Sequence, residues 1–200
     1  MKKLPIILLV VMVSMVSCAI NQKEIMGPPK TLDDDWSRWL VGEWEGPFES
    51  AVGKGKNRME IELCFNGRFL ITKYRGRVPE ITPERVQHLK ETMGVSDKDI
   101  KNMQGSIYKG LEFRTIDPST GEVFGQWFDN RRSMFKGRSR REGNKEIMEW
   151  EWPEQRVSII RVIEKVGDDK FIMTGKWTMP DGSVMDDKTE MTRKRIMTEE

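Results

Sequence analysis

Histidine occurs once and cysteine twice in this chain of 200 residues, and neither sign of charge is in large excess. The single histidine, His88, excludes a histidine-based catalytic triad and a histidine metal cluster. Two cysteines, Cys18 and Cys64, exclude a disulfide framework. The formal net charge of +2 is the charge of Lys2 and Lys3, so the chain beyond residue 17 is neutral. A neutral body has no surplus of cations to neutralise a phosphate backbone, and nucleic acid is not an expected partner. Long apolar runs are lacking as well, with one exception at the N-terminus.

That exception is Leu4 to Val16, which follows the positive start Met1-Lys2-Lys3. It is shorter than the ~20 residues a membrane-spanning helix needs and has the proportions of a secretory leader. It ends in Met15-Val16-Ser17-Cys18, which resembles the lipobox of bacterial lipoproteins. There the cysteine thiol receives a diacylglycerol and becomes the new N-terminus. The resemblance implies a signal peptide over 1–17, with lipid attachment and a tether over 18–31. It also implies a cell-envelope protein held to a membrane by acyl chains of the palmitate kind. Ala19 brings no acidic retention signal after the cysteine, so the outer membrane is expected where two membranes exist. Cleavage after Ala19 is the alternative and would release a secreted or periplasmic soluble protein. Gly27-Pro28-Pro29 suits a tether that stands the body off the bilayer.

The body over 32–196 reads as one all-β domain. Thr31 can cap a short helix, with Asp33, Asp34 and Asp35 in its first turn and Trp36, Trp39 and Leu40 on one side. From Arg58 the period becomes two. Met59, Ile61, Leu63 and Phe65 share one face, with Glu60, Glu62 and Cys64 on the other, and Asn66-Gly67 gives the hairpin signal before Arg68–Arg75. Val86, Leu89 and Met93 have helical spacing and Ser96-Asp97-Lys98-Asp99 can start another helical turn, which predicts a helical insertion near 83–104. Strands follow at about 106–116, 122–130, 131–141, 145–152, 156–166, 170–179 and 183–194. The short connections force antiparallel pairing between consecutive strands. A meander of about nine or ten strands, each with one apolar face, is expected to close into a barrel and so remove its edges.

Catalytic patterns are scarce. Cys64 lies beside Glu60 and Glu62, and carboxylates disfavour the thiolate that a nucleophile must form. The pairs Glu60/Glu62 and Glu149/Glu151 fit the wet face of a strand, as does a basic stripe of Arg132, Lys136, Arg138 and Arg140 paired with the neighbouring acids. No enzyme, no metal and no cofactor are expected. Trp127, Trp150, Trp152, Trp177, Phe135, Met148 and Met173 fall on inward parities, accompanied by Ser133, Ser158 and Thr189. The candidate ligand-lining residues are therefore Trp127, Trp150, Trp177, Phe135 and Met173. Either they fill the lumen, or they leave room for a small apolar or amphipathic ligand beside Gly125, Gly137 and Gly175.

Gly42-Glu43-Trp44 at the first strand and Thr192-Arg193-Lys194 at the last resemble the lipocalin and wider calycin signature. That resemblance implies that Gly42, Trp44 and Arg193 close the barrel floor through packing and a cation–π contact. From about Leu40 to Arg195 the chain is similar to a bacterial family known as domain of unknown function fifteen seventy-nine. The motifs are Leu40-Val41-Gly42-Glu43-Trp44-Glu45-Gly46, Asn66-Gly67-Arg68-Phe69-Leu70, Tyr74-Arg75-Gly76, Gly125-Gln126-Trp127-Phe128-Asp129-Asn130, Pro180-Asp181-Gly182 and Met191-Thr192-Arg193-Lys194. Tyr108-Lys109-Gly110-Leu111-Glu112-Phe113 stands where that family has a Gly-Tyr-Asp segment. The resemblance implies a calycin-like barrel and no catalytic residues. Two functions follow as expectations: an envelope lipoprotein that captures a small ligand, or a filled barrel that meets an envelope protein partner.

Overall fold

The computed structural model describes residues 30–50, 53–77 and 80–194. The leader, Cys18 and most of the tether lie outside the described residues, as do 195–200 and the side chain of His88.

Ten strands close into one antiparallel barrel in chain order, as the alternation and short connections require. They are β1 (Gly42–Ser50), β2 (Gly53–Cys64), β3 (Phe69–Arg77), β4 (Ile107–Ile116), β5 (Val123–Asp129), β6 (Met134–Glu142), β7 (Lys145–Trp152), β8 (Val157–Gly167), β9 (Lys170–Thr178) and β10 (Val184–Arg193). A short helix α1 (Asp35–Leu40) precedes them, and α2 (Pro83–Met93) and α3 (Asp97–Met103) form the insertion between β3 and β4. Closure comes from β1 pairing with β10, with Trp44 opposite Arg193. Every strand is paired on both sides and the main core lies inside the ring, so residues 30–194 make a folding unit of their own.

The helix cap differs from expectation. Asp34, not Thr31, caps α1, and its carboxylate accepts from the Ser37 N–H at 2.8 Å. Asp33 instead pairs with Arg38 at 2.6 Å. The β2–β3 connection also differs. Cys64 pairs with Phe69, so Phe65, Asn66, Gly67 and Arg68 all belong to the loop. Phe65, Asn66 and Gly67 take left-handed φ values of 52°, 57° and 77° in succession, which pulls Phe65 off the inward face and leaves it 73% exposed. The insertion forms as expected and has a small core of its own around Ile81, Leu89 and Ile100. Ser96 caps α3 and accepts from the Asp99 N–H at 3.2 Å.

The floor is built from both chain ends. Trp44 is fully buried, donates from Nε1 to the Leu40 carbonyl at 2.8 Å, and packs edge-on to Phe171 at 4.7 Å. The Arg193 guanidinium lies 4.2 Å from the Trp44 ring centre, and its two terminal nitrogens donate to the Val41 and Trp39 carbonyls at 2.6 and 2.5 Å. Gly42 has φ +135°, and a Cβ there would meet the Arg193 guanidinium at 2.6 Å. The basic stripe is paired as the alternation suggests. Arg140 meets Glu149 at 2.5 Å, and Arg138 meets Glu122 while standing opposite Glu149 in the ladder. Arg132 is the exception: it sits in the turn before β6 with φ 68°.

Candidate functional site

The lumen carries charge that the apolar pattern does not announce. Along β4, the inward positions are Tyr108, Gly110, Glu112, Arg114 and Ile116; Glu112 and Arg114 are buried while Lys109 on the other parity is exposed. Register sets this orientation. Arg114 stands opposite Leu70 on one side and Gly125 on the other, and Glu112 stands opposite Thr72 and Trp127. Leu70 and Thr72 are buried inward residues of β3, so β4 must present its charged parity to the same side. Gly125 makes the space: a Cβ there would lie 3.4 Å from the Arg114 stem and 2.6 Å from the Trp150 ring.

Arg114 bridges two carboxylates. Its Nη1 donates to Glu146 at 2.8 Å, and its Nε lies 3.0 Å from Glu112 Oε1, an ionic contact without hydrogen-bond alignment. All three side chains are at most 6% exposed. Glu146 also accepts from the Ser139 hydroxyl at 2.8 Å and from the Trp36 indole of α1 at 2.9 Å. Burial pushes the Glu146 carboxyl up, but Arg114, Ser139 and Trp36 together outweigh it and hold Glu146 below the usual carboxylate range. Glu112 goes the other way. Burial raises it, and the Arg114 charge offsets this only in part. The two carboxyls of the cluster are therefore shifted in opposite directions around one cation.

A second pair faces the same lumen. Arg161 lies 3.4 Å from Asp187, which also accepts from the Trp177 indole at 2.5 Å. The Arg161 charge is felt at Tyr74, Tyr108 and Glu112, on the strands β3 and β4. Both tyrosine hydroxyls are pushed above their ordinary range, mainly by burial. Tyr108 donates to Asp129 at 2.9 Å and receives the Trp127 indole N–H at 3.2 Å.

Among the described residues, the buried donors Arg114 Nη2 and Arg161 Nε have no hydrogen-bond partner, whereas Thr72 and Asn57 are met by Glu112 and Tyr74. Each such atom costs on the order of 1–3 kcal/mol unless something meets it. The free guanidinium nitrogens are donors, so the arrangement offers a buried grip for a group rich in acceptors. Among the described residues no group of three or more His, Cys, Asp and Glu could hold a metal.

The five ligand-lining candidates are all brought into one cluster. Phe135, Trp150 and Met173 are buried, with Trp127 and Trp177 packed against them. Phe135 contacts Trp152 and Trp177 at 5.4 and 5.9 Å, whereas Trp127 sits with Tyr74 and Tyr108 at 5.8 and 6.3 Å. Thr189 faces inward and accepts from Asn57 at 3.4 Å, but Ser158 is exposed on the outer wall and Ser133 lies in a turn. The space expected beside the glycines is taken. A Cβ at Gly125 meets Trp150, one at Gly137 meets the Glu149 carbonyl at 2.2 Å, and one at Gly175 meets the Asp187 carboxylate at 2.6 Å. Gly175→Leu is therefore expected to displace Asp187 from Arg161 and to destabilise the barrel by about 1–3 kcal/mol, measured by urea unfolding. An unchanged midpoint would show that room exists there.

The charged residues were missed at the sequence level, although a signal existed. Glu146 shares parity with Met148 and Trp150, Arg161 with Ile159 and Ile163, and Asp187 with Thr189. Polar residues on an apolar parity mark a lumen that is not simply a core.

No family model matches the chain, and no curated protein matches it in sequence. Among solved structures, the S-type phycobiliprotein lyase from Guillardia theta has a TM-score of 0.49 at 9% identity, covering 84% of this chain and 94% of that one. A redesigned β-barrel has a TM-score of 0.39 at 12% identity, covering 80% and 95%. A de novo designed fluorescence-activating β-barrel has 0.38 at 12%, covering 80% and 99%. The calycin-like assignment rests on the closed ten-strand meander itself.

Proposed function

We propose that this chain is an envelope lipoprotein, tethered by lipid on Cys18, whose barrel binds a small amphipathic ligand and performs no chemistry on it. One observation carries the binding reading: the buried Arg114, held between Glu112 and Glu146, keeps Nη2 without a hydrogen-bond partner, and Arg161 keeps Nε without one. A core evolved only for packing has little use for such atoms, whereas a guest with an acceptor head and an apolar body would meet both Arg114 and the tryptophan cluster. The leader and Ser17-Cys18 support the address, and the Gly42-x-Trp44, Asn66-Gly67 and Arg193 positions support kinship with the domain-of-unknown-function family fifteen seventy-nine.

The second reading, a filled barrel that serves an envelope protein partner, is favoured by the tryptophan and aspartate side chains that cover the lumenal glycines. Native mass spectrometry of the full chain, extracted from the membranes of its own host, separates the two. The expected spectrum shows a diacylglyceryl mass on the N-terminal cysteine, absent from Cys18→Ser, together with a small molecule released on unfolding. Arg161→Gln should retain less of that molecule. A chain beginning at Ile20, or Cys18 without lipid, sinks the anchor. A barrel that carries no guest and takes none up from a fatty-acid mixture leaves the filled-barrel reading in its place.

A further inference from the structure

A second set of cations lies on the outer wall, apart from the stripe already described. Arg58 stands directly opposite Arg75, and Arg75 directly opposite Lys109, so three cations form one row across β2, β3 and β4. Lys56 and Arg77 lie on the same outward parity two residues along, at the insertion end of the barrel. Arg58 is held by Glu43 at 2.6 Å. Among the described residues, Lys56, Arg75, Arg77 and Lys109 have no ion-pair partner. Like charges directly opposed across a ladder destabilise a sheet, so packing does not account for the row. A groove of about 770 Å³ borders it, lined in part by Lys56, Arg75, Arg77 and Ile107.

The wall beside these cations is apolar where a sheet wall facing water is normally polar. Leu111 stands opposite Phe128, and Phe128 opposite Met134, in the next outward row. Ile107, Phe128 and Met134 are 42%, 38% and 54% exposed. The turn between Phe128 and Met134 adds the exposed cations Arg131 and Arg132.

We propose that this wall, at the insertion end of β2–β6, is a docking face for a bilayer with anionic phospholipid headgroups. The free cations meet lipid phosphates while Ile107, Phe128 and Met134 enter the boundary between headgroups and acyl chains. A soluble polyanion would match the cations but leave the apolar row without a partner; a bilayer interface matches both. The face is separate from the lumen and from the proposed anchor. The chain enters the barrel at the opposite end, where the Leu32 N–H donates to the Gly67 carbonyl at 2.7 Å. The residues between Cys18 and Lys30 can span at most about 40 Å, which lets the wall lie on the membrane that holds the anchor.

The test uses residues 19–200, which keep the whole folding unit and lack both leader and lipid. Sedimentation with vesicles of phosphatidylcholine alone, and of phosphatidylcholine with phosphatidylglycerol in equal parts, should show binding to the anionic vesicles only, weakened by salt. Arg75→Glu with Arg77→Glu should weaken it by about thirty-fold or more, at roughly fivefold per cation removed before the reversal is counted. Phe128→Ser with Met134→Ser should weaken it as well, whereas Arg138→Glu with Arg140→Glu should leave it in place. Circular dichroism and thermal midpoints check that each variant folds. Absence of binding to anionic vesicles, equal loss in the Arg138/Arg140 control, or binding of soluble polyphosphate without vesicle binding would each overturn the proposal.

Discussion

Trp44→Ala is expected to remove about 3–5 kcal/mol of stability, the largest loss from any single truncation at the barrel floor. The indole is fully buried, packs against Phe171 and Trp39, and ties the end of α1 to β1 through the Leu40 carbonyl. Truncation leaves a cavity between the helix and the sheet, frees that carbonyl, and strips Arg193 of the ring it covers. Arg193→Ala should cost less, roughly 2 kcal/mol, because the guanidinium is partly solvated and contributes one cation–π contact and two hydrogen bonds. Arg193→Lys should recover part of the loss, since a lysine keeps the charge over the ring but cannot reach two carbonyls in a fork. Urea unfolding at fixed pH measures all three. Near-zero shifts for both Trp44→Ala and Arg193→Ala would mean that the floor is not closed by this pair.

The second large effect is expected at Arg114. Arg114→Met leaves Glu112 and Glu146 buried without their cation, and removing one partner of such a group costs about 3–5 kcal/mol. Glu112→Gln should behave differently, because burial raises the Glu112 carboxyl whereas Glu146 is lowered. A carboxyl raised on folding stabilises the protein fully below its unfolded value, near 4.5, and that contribution is lost as pH rises through the folded value. Glu146 has the opposite sign: lowered on folding, it contributes above its unfolded value and is lost as pH falls through the folded one. The parent should therefore lose stability in acid through Glu146 and on the alkaline side of 4.5 through Glu112. Glu112→Gln should flatten only the alkaline arm and be neutral or stabilising near neutral pH. Unfolding free energies of the parent and both variants across pH decide this. Destabilisation by Glu112→Gln at neutral pH, as large as that of Arg114→Met, would mean that Glu112 is needed ionised.

Local rules reached much of the architecture. Alternation within strands and the brevity of the connections need only near neighbours, so they reach the meander and the insertion; the closing pair Trp44–Arg193 is implied by the resemblance to the calycin signature and not by local pattern. The misses are equally physical. Phe65 looked inward by parity, but the loop needed three left-handed residues and took it. Ser158 was placed with Trp150 on the inner face, yet it stands across from Glu151, on the outer parity of β7.

What the sequence determined by itself is the two-faced character of each strand, the antiparallel order, and the residue types available at the floor. What only the tertiary structure decided is which face of β4 looks inward and which groups meet across the lumen. Pleating gives every strand two faces without saying which is in, and β4 offers apolar residues on one and Glu112 with Arg114 on the other. Its direction is set by register against Leu70 and Thr72 on β3. The meeting of Arg114 with Glu146 then joins residues 32 positions apart, on strands β4 and β7 with β5 and β6 between them in the ring. Short-range pattern carries no information about that distance; closure of the barrel supplies it.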